Sequence, residues 1–212
     1  MKPNSLSHKV YLELRKKILS NQLVSGMRLK EDEWAQKMEV SRTAIREALT
    51  RLLGEGLVVF GDKGGYFIKS MTVEDVEEIR ELREILETGA LRLAIERITD
   101  EELQELESIC DDFTSMVERG YLGGACEADV KFHESIIMYS GNAKLQYIYE
   151  HSNIPLFHMK LGQTMSHMDD YELTDQEHRE LLAAIKSKDF AQAEKTLHKH
   201  LIRGQLTALD LL

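Results

Sequence analysis

The sequence predicts a mainly α-helical chain in two parts, a head of three short helices and a β-hairpin followed by an all-α helical bundle. Three observations predict it. Apolar residues recur at helical spacing up to about Glu55, then give way to two β-rich runs around a glycine-rich link. From Met71 onward only helical patterns recur, separated by cap-like junctions. The charge divides at the same place: residues 1–70 carry 13 Lys/Arg against 8 Asp/Glu, and residues 71–212 carry 14 against 29. A basic head on an acidic body implies two domains, 1–70 and 71–212, and only the head suits a polyanion.

Composition removes several classes. With 42% hydrophobic and 30% charged residues and 2 Pro in 212, the chain is not collagen-like, low-complexity or wholly disordered. Cys110 and Cys126 form no CxxC pair and are too few for a disulfide scaffold, so reduced thiols in the cytoplasm are expected. The N-terminus lacks the apolar core of a signal peptide, and no apolar run approaches the ~20 residues of a membrane span. The expectation is a soluble cytoplasmic protein with no membrane partner.

In the head, a first helix is predicted from Ser7 to Ser20, with Val10, Leu14 and Ile18 inward and Lys9, Arg15, Lys16 and Lys17 around them. Asn21 and the Ser25-Gly26 pair break it. A short helix from Glu31 to Met38 is buried through Trp34 and Ala35. Ser41 then reads as an N-cap, since its hydroxyl can accept a free amide of the next turn. The helix it opens runs to Glu55, with Ile45, Leu49 and Leu52/Leu53 inward and Arg42, Thr43, Arg46 and Thr50 outside. Leu57-Val58-Val59-Phe60 and Tyr66-Phe67-Ile68 flank the turn-rich link from Gly61 to Gly65, which makes a two-stranded hairpin. Three short helices and a hairpin form a winged helix-turn-helix.

In the body, helices are predicted over 73–97, 100–118, 125–140, 143–162, 174–187 and 189–209. Thr99-Asp100 and Ser187-Lys188-Asp189 are cap-like, and Ser140-Gly141-Asn142 is a third break. His167 to Thr174 has no apolar period and reads as loop. Such a set packs as a bundle or a related all-α fold.

The string VSRTAIREAL (Val40 to Leu49), followed by RLLGEGLV (Arg51 to Val58), resembles the GntR family of bacterial transcription regulators. The resemblance covers about 65 residues. Asn21, Ser25, Trp34 and Ala44 depart from residues frequent in the family, at turn and packing positions. It implies DNA binding, and the residues agree. A helix whose first turns offer Ser41, Arg42, Thr43 and Arg46 can enter a major groove about 12 Å wide. Arginine there pairs with guanine or clamps phosphate, and free amides at the helix start favour phosphate. Lys63 and Gly64 at the wing tip let charge and backbone approach the duplex.

The body resembles the FCD ligand-binding domain of the FadR branch of that family, and six rather than seven predicted helices make it look like the VanR group. DVKFHESI (Asp129 to Ile136) and EHRELLAAIKSKDFAQAEKTLHKHL (Glu177 to Leu201) carry the resemblance. Many FCD domains bind a divalent metal through an Asp and three His, which fall here on Asp129, His133, His178 and His200. Geometry agrees with that set. Asp129 and His133 are one turn apart on a face with Val130, Ile136 and Ile137. The helices at 174–187 and 189–209 must be antiparallel, which puts His178 and His200 each roughly 15–18 Å from their turn and side by side. His198, two residues before His200, faces the opposite side. Such a donor set suits Zn²⁺, Ni²⁺, Mn²⁺ or Fe²⁺ without choosing among them, and Zn²⁺ or Ni²⁺ is the expected ion.

Arg83 lies in LREILE (Leu82 to Glu87), which resembles an Arg-x-x-Leu-Glu pattern on the first FCD helix, and shares an inward stripe with Ile79, Leu86 and Ala90. A buried arginine needs an anion, either Glu87 at i+4 or the carboxylate of an effector. The expected protein is a homodimeric transcription regulator on a double-stranded, palindromic DNA operator, tuned by a small carboxylated metabolite near the metal. A regulator with the ion itself as effector is the alternative. A metal-dependent enzyme is disfavoured by a DNA-binding head, the lack of a nucleophile motif, and no inward acid or base placed to act.

Overall fold

The computed structural model describes residues 5–19, 22–70, 72–152, 154 and 168–209. It divides into two compact units, Met1–Met71 and Thr72–Leu212. In the first unit, α1 (Leu6–Leu19), α2 (Glu31–Lys37) and α3 (Arg42–Gly54) pack with strands β1 (Arg28–Leu29), β2 (Val58–Phe60) and β3 (Tyr66–Ile68). Val10, Leu14 and Ile18 of α1 are buried with Ile45, Ala48, Leu49 and Leu52 of α3, and Trp34 and Ala35 anchor α2. Leu53, expected inward, is 38% exposed. Leu49 and Leu52 follow Ile45 at i+4 and i+7, and Leu53 falls about 80° off that line.

The Ser41 hydroxyl caps α3, accepting from the Ala44 amide at 3.2 Å. The expected hairpin is instead a three-stranded antiparallel sheet in the order β1-β3-β2. Its register pairs Leu29 with Tyr66 and Phe60 with Tyr66 from opposite sides of β3. Two residues give β1 no readable alternation; the Ile68 amide donates to the Met27 carbonyl at 2.9 Å and extends the pairing. At the wing tip, Gly64 and Gly65 have φ of +80° and +102°, a region that favours glycine.

In the second unit, α4 (Val73–Arg97) and α5 (Asp100–Glu118) each begin with a capping box, Thr72 with Asp75 and Thr99 with Glu102. They are followed by α6 (Leu122–Tyr139), α7 (Ala143–His151), α8 (Met168–Lys186) and α9 (Phe190–Leu209). Leu91, Leu106, Phe132, Ile136, Leu181 and Leu197 sit at the centre of the bundle core.

Three boundaries differ from the sequence expectation. Helix α6 starts at Leu122 rather than residue 125, because Gly123 and Gly124 form its first turn. A Cβ at Gly124 would lie 2.6 Å from the Tyr121 ring and 2.9 Å from the Met116 sulfur, so close approach explains the glycine. Helix α7 ends at His151; residues 155–162 of the expected helix lie outside the described residues. Helix α8 starts at Met168, overturning the loop expected up to Thr174. Among the side chains described in its first turns, Tyr171 alone is buried, stacked on Phe113 with ring centroids 6.4 Å apart, so no apolar period is visible. Among the described residues, no helix is long and apolar enough to cross a membrane.

Candidate metal centre and nucleic-acid interface

Four side chains converge in the second unit. Asp129 and His133 project from one face of α6, and His178 and His200 face each other across the α8–α9 hairpin. One donor atom from each lies within 4.8 Å of the others, and all four residues are buried. The Nε2 atoms of His133 and His200 are 3.0 Å apart. Asp129 Oδ1 lies 3.1 Å from His178 Nε2 and 3.6 Å from His133 Nε2. Metal–ligand bonds of about 2.1 Å put neighbouring donors roughly 3.0–3.4 Å apart in octahedral or tetrahedral shells. The 3.0 and 3.1 Å spacings and the donor chemistry fit a divalent ion.

The outer ring atoms are held differently. His133 Nδ1 lies 2.7 Å from Glu87 Oε2 on α4. His200 Nδ1 lies 3.0 Å from Glu177 Oε2 on α8. His178 is instead held by rings: it stacks on Phe132 at 4.1 Å between centroids and meets Phe113 edge-on at 5.2 Å. Each carboxylate has an arginine. Arg83 Nε donates to Glu87 Oε1 at 2.6 Å, and Arg203 Nη2 donates to Glu177 Oε2 at 2.7 Å.

Electrostatics follow burial and pairing. Burial alone would raise the Glu87 carboxyl, but Arg83 and then His133 outweigh it and hold it well below the usual range. Glu177 is likewise lowered, to about 2, against burial, by its bonds to His200 and Arg203. Burial depresses His178, opposed by Asp129, and takes His200 down to about 3. His133 is raised despite burial, because Glu87 favours its charged form. One wall of the cluster is open to a cavity of about 50 Å³ lined by Phe113, Cys126, Asp129, Tyr171, His200 and Arg203.

Arg83 is buried, as its stripe required, and engages the internal carboxylate that the sequence had named as its other possible anion. Glu177 and Arg203 were missed. Glu87 and Glu177 are inward acids, each 1% exposed, and both are engaged by an arginine and a histidine. The available signals were Glu177 adjoining His178 and Arg203 three residues after His200, a one-turn spacing. His198 is on the outside, 2.8 Å from Glu84.

In the first unit, Ser41, Arg42, Thr43 and Arg46 lie exposed at the start of α3, and Lys63 is exposed beside Gly64 in the wing. Both arginines have acidic partners from the first turn of α2. Arg42 Nε lies 2.7 Å from Asp32 Oδ1. Arg46 makes a two-pronged pair with Glu31, at 3.0 and 2.7 Å. Its hydrogen bonds hold the Glu31 carboxyl below the usual range. These two acids were not foreseen, because α2 and α3 meet only in the folded head.

Comparison with known proteins agrees with both halves. Residues 6–68 match the model for bacterial regulatory proteins of the gntR family, and residues 78–203 match the FCD domain. The HTH-type transcriptional regulator YdhC of Bacillus subtilis (strain 168) is 31% identical over 205 residues, spanning 94% of this chain and 89% of its own. McbR/YncC of E. coli has the same fold, with a TM-score of 0.79, 21% identity and 98% of each chain covered. The metal-free FCD domain of TM0439 aligns with 66% of this chain and 96% of its own, at a TM-score of 0.55 and 24% identity. Family and relatives are transcription regulators, not enzymes. The chain belongs to the GntR family and is a DNA-binding transcriptional regulator with a winged helix-turn-helix head and an FCD domain.

Proposed function

We propose that this regulator binds a divalent metal at Asp129, His133, His178 and His200, and that a small carboxylated metabolite at this centre sets its affinity for a DNA operator. One observation carries the reading: four buried donors within 4.8 Å of one another, with a cavity reaching Asp129 and His200. Zinc and nickel suit three imidazoles and a carboxylate best, with Mn²⁺ or Fe²⁺ as further candidates. When bound, the ion supplies positive charge and an exchangeable coordination position to an anionic effector. Arg83 and Arg203 are the candidate partners of the effector's carboxylate. Arg203 is favoured because it lines the cavity, whereas an effector at Arg83 must compete with Glu87.

On the DNA side, Ser41, Arg42, Thr43 and Arg46 enter the major groove, and Lys63 and Gly64 contact the backbone, in a cytoplasmic homodimer on a palindromic site. Glu31 and Asp32 give up the arginines when DNA arrives, since exposed ion pairs exchange at little cost. The test is operator affinity of the full chain at fixed ionic strength, with zinc loaded or stripped, alone and with a panel of carboxylic acids. The reading expects an acid that shifts affinity in loaded protein and has no effect in stripped protein. A shift by zinc alone, with every acid inert, instead supports the ion as effector. An acid that acts equally on stripped protein places the effector away from the metal.

A further inference from the structure

The buried carboxylates Glu87 and Glu177 have no place in the ligand set, yet each ends beside a ligand histidine. They come from different helices, α4 and α8, and reach different imidazoles. In both cases the contact is to Nδ1, at 2.7 Å for His133 and 3.0 Å for His200. In both cases the Nε2 atom faces the other ligand, 3.0 Å away. Behind each carboxylate stands an arginine, Arg83 at i−4 from Glu87 and Arg203 across the hairpin from Glu177. The Arg83 and Glu87 side chains are 5% and 1% exposed, so their pair is closed off from water.

We propose that Glu87 and Glu177 are positioning residues of the metal centre, each fixing one imidazole with Nδ1 protonated outward and Nε2 turned to the ion, while Arg83 and Arg203 hold the two carboxylates. The inference rests on the metal reading above and adds residues that do not touch the ion. An imidazole with Nδ1–H committed to a carboxylate offers a single lone pair, and that carboxylate strengthens the ring as a ligand. Each arginine also cancels the charge of its glutamate. A divalent ion with one aspartate and three neutral imidazoles then keeps one net positive charge, which an anionic effector can meet. The His178 ring is held instead by Phe132 and Phe113. It serves as the internal contrast.

The experiment uses the full-length, metal-stripped chain and zinc ions alone. Zinc affinity is measured by calorimetry for wild type, Glu177→Gln and the double variant Arg83→Leu with Glu87→Gln, which leaves no lone buried cation. Thr99→Ala, which loses a helix cap far from the ligand set in sequence, controls for mere destabilisation. In parallel, imidazole ¹⁵N NMR of metal-free protein reads the His200 tautomer. The expected result is a tenfold or greater loss of zinc affinity in both glutamate variants, none in Thr99→Ala, and a His200 Nδ1–H form that becomes mixed in Glu177→Gln. Zinc affinities within twofold of wild type, with the tautomer unchanged, would overturn the proposal. Wild type that takes up no zinc would sink the metal reading. The tautomer comparison then decides orientation alone: a change on losing Glu177 supports it, and no change overturns it. A double variant that fails to fold leaves the Glu177→Gln arm to decide in the same way.

Discussion

Arg46–Glu31 in the head and Arg83–Glu87 in the body are the same chemical pair in opposite surroundings. The Arg46 side chain is 59% exposed and that of Arg83 5%. In water the pair contributes little to stability, because solvent screens the attraction and both ions are hydrated when apart. Arg46 is thus held in a defined pose yet can change partner. Away from water, removing one member strands the other, and the pair is committed to the fold. The role proposed for Arg46 on DNA needs the first kind; that proposed for Arg83 behind a buried centre needs the second.

The largest expected effect tests the buried side. Arg83→Ala should cost about 3–5 kcal/mol in urea denaturation, because Glu87 is left buried with His133 as its remaining charged partner. Replacing Arg83 and Glu87 together by leucine should cost clearly less, and equal losses would deny that the stranded charge matters. Next, Arg46→Ala should weaken operator binding roughly tenfold with unchanged circular dichroism, as expected for a lost groove contact. If the loss is equal on unrelated DNA and the salt dependence is shallower, Arg46 touches phosphate.

A third prediction concerns pH in the metal-free chain. His178 and His200 have folded values below 6.5, and Glu87 and Glu177 below 4.5. As pH falls, the unfolded chain takes up protons that these folded groups refuse, so their stabilisation drains away from about pH 6.5 downward. His133 runs the other way: its raised folded value gives stability that is full below 6.5 and lost as pH rises through that value. Denaturation midpoints should therefore fall on acidification below about pH 6. Midpoints that rise with acid would mean that His133 outweighs the rest. The smallest effect is expected for Glu31→Gln, which should leave the denaturation midpoint within error while changing DNA binding.

The sequence was most legible where one segment carried the whole signal. The capping pattern at Thr99, the cap at Ser41 and the one-turn spacing of Asp129 and His133 are local, and each lies where its spacing put it. The meeting of His178 and His200, ring centroids 5.2 Å apart, followed from equal distances to a shared turn. What escaped needed a partner from elsewhere. Strand β1 exists only because β3 offers its edge, and α8 begins early because Tyr171 finds Phe113. Glu87 was named only as a partner for Arg83, and Glu177, one of 37 acidic residues, adjoins His178 in sequence but faces His200, which its own spacing does not say.

The turn between α8 and α9 sets the register of two proposed ligands at once, His178 and His200. Lys188 has a φ of +58°, the Asp189 amide donates to the Ala184 carbonyl at 2.9 Å, and the Asp189 carboxylate receives the Gln192 amide at 3.0 Å. The corner works as a gauge block, its length dictating which residue of one leg stands opposite which of the other. One residue added after Asp189 would turn α9 by about 100° and advance it about 1.5 Å. His200 would swing away from His178, and His198 would not replace it, since it would then stand about 100° off on the other side. Under the proposed metal reading, the length of this corner is therefore as much a part of the binding specification as any of the four donors.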